Sequence, residues 1–162
     1  MSAGRHQHND WLNIGESMTT IAFDGKTMAC DTRVTCGDTF CNTDTKIYEN
    51  DAYVIGVAGD AGVGTMLVQV SNILTMRTYE YNFQAIVYEK HTQRIFYVSF
   101  DKKWESNSSV VPIVDSYFAV GSGADFARAA MYLGNTATRA VTVAAEFDIN
   151  TGGKIITKPL FG

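Results

Sequence analysis

Charge is scarce in this chain, and what there is does not cluster. Charged residues make up 19% of its 162 positions, 17 acids against 13 bases, for a formal net charge of −4. No long basic run occurs, so neither nucleic acid nor an anionic membrane surface is implied as a partner. The acidic excess is too small to imply cationic substrates. Long apolar runs are lacking too. No stretch reaches the length of a membrane-spanning helix, and the opening segment, MSAGRHQHNDWLNIGES, lacks the apolar core of a secretory peptide. Cysteine is limited to Cys30, Cys36 and Cys41, an odd count without zinc-site spacing. Cys30 lies in an apolar stretch and reads as a small buried hydrophobe. Reduced thiols in a cytosolic setting are expected, with a single disulfide as the alternative. His6 and His8 sit in a polar tail and read as exposed residues rather than metal ligands. Internal repeats and low-complexity tracts are absent from the sequence.

What remains is globular composition, 46% apolar, at a length that suits one domain. Residues 1–18 read as an extension or propeptide-like segment, with Trp11, Leu12 and Ile14 as apolar positions able to dock it. The organised domain is expected over 19–162. Thr19 to Phe23 and Lys26 to Cys30 read as two strands around an Asp24-Gly25 turn. Thr32 to Thr45 reads as a loop or ragged edge. Order restarts at Lys46-Ile47-Tyr48, and Ala52 to Ala58 reads as a central strand. The period then changes. Val63, Met66, Leu67, Val70, Ile73 and Leu74 recur at three- and four-residue spacing, which predicts a helix to about Met76 or Tyr79. Phe83 to Tyr88 and Arg94 to Phe100 read as a hairpin, and Asp101 to Ser109 as an exposed polar segment. Tyr117 to Val120 is a strand entering Gly121-Ser122-Gly123. Helices are predicted over Ala124 to Leu133 and Thr136 to Phe147, followed by a turn at Asp148 to Gly153 and a last strand from Lys154 to Thr157. Hairpins outnumber helical crossovers, so the expectation is an α+β (layered α/β) fold of mostly antiparallel sheets with helices on the outer faces.

Several short motifs then fall in a telling order. Thr19-Thr20-Ile21-Ala22 resembles the mature start of proteasome β subunits and of the bacterial peptidase HslV. The stretch from Met28 through Asp31-Thr32-Arg33 to Gly37 matches that family's apolar–Asp–small–Arg–x–Thr–x–Gly pattern. Lys46-Ile47 fits the lysine that follows, and Val57 to Gly62 resembles the small-residue turn into the first long helix. Val120-Gly121-Ser122-Gly123 matches a Gly-Ser-Gly element, and Asp148 to Gly153 matches Asp-x-x-Ser-Gly-Gly with threonine for serine. Each motif is weak alone; their joint order spans most of the chain.

The resemblance implies a four-layer αββα sandwich of the N-terminal-nucleophile hydrolase type and a threonine peptidase that needs no metal and no organic cofactor. A threonine hydroxyl is a poor nucleophile until a base takes its proton. When threonine is the first residue, its own α-amine, with an ordinary pKa of about 7.7–8.0, is that base. The resemblance implies Thr19 as nucleophile, Lys46 beside it as a cation favouring the alkoxide, and Asp31 orienting Lys46. It implies Ser122, Asp148 and Thr151 as the group holding the amine and relaying protons, and the Gly62 backbone N–H as oxyanion donor. Taken singly, each has a plainer reading: Asp31 and Lys46 as a structural ion pair, Gly121-Ser122-Gly123 as a strand-to-helix turn, Asp148 and Thr151 as turn residues.

The chain also departs from the family. Met18 precedes Thr19 where precursors of the family carry glycine, which argues against autolysis at that bond; translation from Met18 followed by methionine removal would expose the amine instead. Only one helix is predicted after the glycine-rich turn where the family has two long ones, a reduced helical layer that argues against docking of an ATPase unfoldase. The implied partners are copies of the chain itself, in a homo-oligomeric ring, and peptide or unfolded-protein substrates. The leading expectation is a cytoplasmic threonine-type peptidase of a self-assembling particle. Its rivals are a catalytically silent structural or assembly protein on the same scaffold, phage-encoded and virion-associated, and a small-molecule amide hydrolase of related type.

Overall fold

The computed structural model describes residues 19–36, 38–60 and 62–161. The readings made for His6, His8, Trp11, Leu12, Ile14 and Met18, and the extension as a whole, lie outside the described residues. The elements run β1 (Thr20–Phe23), β2 (Thr27–Cys30), β3 (Arg33–Cys36), β4 (Thr39–Asn42), β5 (Ile47–Glu49), β6 (Tyr53–Gly59), α1 (Val63–Leu67), β7 (Phe83–Glu89), β8 (Arg94–Phe100), β9 (Ser109–Ile113), β10 (Phe118–Gly121), α2 (Ala124–Tyr132), α3 (Ala137–Phe147) and β11 (Ile156–Pro159).

Strand alternation builds the layers. A four-stranded sheet has the order β10-β1-β2-β11 and a five-stranded sheet the order β5-β6-β7-β8-β9, with every pairing antiparallel. On β1 and β2 the odd-face residues Ile21 and Phe23 and their counterparts Met28 and Cys30 turn toward the second sheet. There they meet Val54, Ala58, Ile86, Tyr88 and Ile95. The opposite face of the four-stranded sheet carries Ala22, Ala29 and Ala119, which lie side by side in register. These short side chains let α2 and α3 settle close, burying Ala127, Ala130, Ala140, Val141 and Ala144. Thr136 caps α3, its hydroxyl accepting from Arg139 N at 3.2 Å. Asp24 adds a tertiary cap: one carboxylate oxygen closes the β1–β2 turn onto Lys26 N and Thr27 N, and the other accepts from Ala137 N at 2.8 Å.

The far face of the five-stranded sheet buries Ile55, Val57, Ala85, Val87 and Val98 under α1 and the segment 68–82. The molecule is thus a layered sandwich, helices on sheet on sheet, with a thin fourth layer.

That fourth layer corrects one expectation. The helix predicted to Met76 or Tyr79 ends at Leu67. Beyond it the backbone makes short turns, Gln69 N to Met66 O at 3.1 Å and Val70 N to Leu67 O at 3.0 Å. Ser71-Asn72, with β-branched Val68 and Val70, favours such turns over a ladder. The apolar spacing was real, since Ile73 is fully buried and Val70, Leu74 and Met76 pack beside it, but a chain of turns satisfies it. Residues 33–42, expected as loop or ragged edge, form the β3–β4 hairpin. Ser109–Ile113, for which no strand was expected, is the edge strand β9, where Pro112 is tolerated because one side needs no ladder partner. The last strand lies two residues later than predicted, with Pro159 at its end opposite Thr27.

Candidate active site

The catalytic candidates all sit where strands and helices end. Thr19 directly precedes β1, Asp31 directly follows β2, and Lys46 directly precedes β5 in the other sheet. Ser122 follows β10, Asp148 terminates α3, and Thr151 lies in the turn before β11. The two sheets therefore bring these six residues to one end of the sandwich.

Around the Thr19 side chain the cluster is buried. Thr19, Asp31 and Lys46 are 3%, 0% and 8% exposed. The Lys46 ammonium spends its three protons on Thr19 Oγ1, on Asp31 Oδ1 at 2.9 Å and on the Arg33 carbonyl at 2.5 Å. Thr19 Oγ1 in turn donates to Asp31 Oδ1. Asp31 also accepts the backbone N–H groups of Thr20 at 3.2 Å, Arg33 at 3.3 Å and Gly152 at 3.0 Å, so a fully buried carboxylate is surrounded by donors from four segments. Burial pulls the Lys46 ammonium below its ordinary pKa, and the neighbouring Asp31 carboxylate opposes that pull. Beneath the cluster the Cys30 thiol is pushed up to about 11, chiefly by burial.

On its other side, the Thr19 backbone meets a hydroxyl–carboxylate chain. Asp148 Oδ2 accepts from Ser122 Oγ and from Thr151 Oγ1, both at 2.6 Å. Because Thr151 gives its proton to Asp148, the 2.8 Å contact between Thr20 Oγ1 and Thr151 Oγ1 has Thr20 as donor. Ser122 Oγ lies 3.3 Å from the Thr19 carbonyl, which accepts from Gly123 N at 3.3 Å. Gly121 makes this approach possible. It has φ +101°, and a Cβ there would collide with the Thr19 carbonyl.

A cavity of about 290 Å³ is lined by Thr19 and Lys46 together with Gly59, Asp60, Gly62 and Val63. Gly62 is left-handed at φ +84° and immediately precedes α1. Asp60 Oδ2 accepts from Asn82 N at 3.0 Å, while its Oδ1 is buried without a partner among the described residues. Such a volume accommodates a few side-chain-sized groups next to the hydroxyl.

Every candidate catalytic residue thus lies within one connected network, and Gly62 lines the same cavity as Thr19 and Lys46. Reading the sequence missed Thr20, which extends the hydroxyl–carboxylate chain, and the Arg33 carbonyl, which takes the third Lys46 proton. Arg33 was visible as a motif position, whereas Thr20 carried no signal beyond its place after Thr19.

Among solved structures, that of Thiobacillus denitrificans BPH in complex with epoxomicin matches 89% of this chain and 99% of its own, with a TM-score of 0.63 and 18% identity. The two share a layered α/β sandwich fold. At that identity the likeness is one of fold. No family model matches the chain, and no curated protein matches it. Among the described residues no group of His, Cys, Asp and Glu is arranged to hold a metal ion, and no helix is long and apolar enough to cross a membrane.

Proposed function

We propose that this chain is a threonine-type peptide hydrolase, with Thr19 as an N-terminal nucleophile once its amine is free. The observation that carries the reading is the convergence on Thr19 of a buried Lys46–Asp31 pair at its hydroxyl and a Ser122–Asp148–Thr151 chain at its backbone, beside a cavity. In this reading the α-amine takes the Thr19 proton as Oγ1 bonds to the peptide carbonyl carbon. Lys46 supplies positive charge at Oγ1, and the Gly62 N–H faces the developing oxyanion. The C–N bond breaks, the leaving amine takes the proton from the α-ammonium, and Thr19 is left as an ester. Water then adds with the amine again as base, releasing the acid and restoring the hydroxyl. Asp148, Ser122 and Thr151 hold the amine and conduct its proton.

Assembly into a homo-oligomeric particle belongs to the same reading. It is supported by large apolar side chains left bare on and around α2 and α3: Tyr132, Leu133, Phe147 and Ile149, at 66–83% exposure. The substrates are peptides or unfolded chains, and the site is cytoplasmic. The thinned α1 layer argues against an ATPase unfoldase as partner.

One observation favours a silent structural or assembly protein instead, virion-associated rather than cytoplasmic. In the encoded chain Met18 holds the Thr19 amine in a peptide bond, where it cannot act as a base.

Intact mass and N-terminal sequencing of the natively expressed protein, followed by peptide hydrolysis with the Thr19→Ala variant, separate the two. A chain beginning at Thr19 that cleaves peptides, with activity reduced to background in the variant, is the expected result. A mature assembly beginning at Met1 or Ser2 and inert toward peptides overturns it.

A further inference from the structure

Arg33 enters the site twice. Its carbonyl accepts from Lys46, and its guanidinium crosses to the turn that carries Asp148 and Thr151. There Nη1 donates to the Ile149 carbonyl at 2.9 Å. One face of the guanidinium lies 4.2 Å from the centre of the Phe40 ring, a cation–π stack supplied by the β3–β4 hairpin. The guanidinium also lies against Gly152, where an added Cβ would come within 2.5 Å of Cζ and 2.6 Å of Nη2 and would push the planar group aside. Two further bonds stitch the same turn to the strand end: Thr32 N to Gly152 O at 3.0 Å and Gly152 N to Asp31 Oδ2 at 3.0 Å.

The guanidinium has no carboxylate within salt-bridge distance among the described residues, and its Nε is buried without an acceptor. An ion-pairing role does not explain this placement. A buried N–H left unbonded is unfavourable and calls for a compensating reason. The reason lies in what the flat group touches, an aromatic ring and a glycine backbone, contacts that a lysine ammonium cannot reproduce.

The geometry points to Arg33 as a positioning residue that locks the Asp148–Gly153 turn to the Asp31–Lys46 arm, so that Asp148 and Thr151 keep their place beside Thr19. Its catalytic half rests on the hydrolase reading above, and its geometric half does not.

The test uses the chain beginning at Thr19 with Arg33→Met and Arg33→Lys. Hydrogen–deuterium exchange at Asn150, Thr151 and Gly152 reads the lock without requiring activity. It should quicken about tenfold or more in Arg33→Met while the amides of β6 to β8 stay unchanged. Arg33→Lys should restore only part of the protection. Where the parent hydrolyses peptides, kcat should fall about 10–100-fold with KM nearly constant. The acid limb of the rate–pH profile should also move, since the amine has lost its fixed neighbours. Unchanged exchange at Asn150–Gly152 in Arg33→Met overturns the lock. Faster exchange with an unmoved pH profile and kcat overturns the positioning role. An inert parent with faster exchange in the variant supports the lock and counts against the hydrolase reading alone.

Discussion

Two ammonium–carboxylate clusters in this molecule have nearly the same geometry and opposite surroundings. Lys46 and Asp31 meet at 2.9 Å with side chains 10% and 0% exposed. Glu49 meets Lys90 and Lys158, both at 2.7 Å, with side chains 34–41% exposed, joining the five-stranded sheet to β11. Distance alone would rank the second cluster higher. Burial reverses the order. An exposed pair competes with water and is screened by salt, so it is worth about 0–1 kcal/mol. A buried pair must be complete, because either partner left alone is an uncompensated charge in a poor solvent. The inner cluster therefore ties folding to the candidate chemistry, and the outer one is a surface tie between strands.

The largest expected effect comes from breaking the inner pair. Lys46→Met leaves the Asp31 carboxylate buried with only neutral donors; stability should fall by about 3–5 kcal/mol in urea unfolding, and peptide hydrolysis should vanish. A loss below about 1 kcal/mol would contradict the contrast. Asp148→Asn sharpens it. Asp148 is only partly buried and lies outside the ion pair, so stability should change by about 1 kcal/mol while hydrolysis falls about 10²-fold or more. An equal loss of both would show that the relay side is structural as well.

Alkaline pH reads the ground beneath the inner cluster. The Cys30 thiol, ordinarily 9.0, is raised to about 11 in the folded state. Between those values the unfolded chain loses the proton first, so stability falls with rising pH by on the order of 2 kcal/mol. Lys46 acts in the opposite sense: its folded pKa is lowered by burial, so its contribution rises with pH up to its unfolded value of 10.5. Unfolding of wild type and Cys30→Ala at pH 8 and pH 10.5 isolates the thiol, and the variant should show the shallower loss. The smallest effect is at Glu49→Gln. Hydrogen bonds from Lys158 and Lys90 lower the Glu49 pKa, so its stabilisation is present above the unfolded value near 4.5 and is lost as pH falls through the folded one. The variant should cost less than about 1 kcal/mol at neutral pH, and the difference should shrink in 1 M salt.

Much of this was legible before any coordinates. The strands of the two sheets were legible as short apolar runs between turn signals, such as Asp24-Gly25 between β1 and β2, because both faces of these strands are covered. Asp31, Lys46, Ser122, Asp148 and Thr151 were found through short motifs in order rather than through any one motif. What failed did so for definable reasons. In the β3–β4 hairpin all of β4 is exposed and Arg33, Val34 and Thr35 of β3 are only partly buried, so no fully buried face imposes alternation. Ser109–Ile113 hides its strand behind Pro112. The apolar spacing of residues 63–76 reports burial, and turns bury Ile73 as well as a helix would. Arg33 was legible as a motif position, but its grip on Gly152 depends on a contact across 119 residues of chain, which no local pattern carries.

The central claim is that the free α-amine of Thr19 makes this cluster reactive. The direct measurement compares hydrolysis of a fluorogenic peptide by two purified forms, one beginning at Thr19 and one retaining Met18 ahead of it. The account predicts turnover by the first form, lost in its Thr19→Ala variant, and none by the second. A folded Thr19-first form that is inert, or equal turnover by both forms, would contradict it.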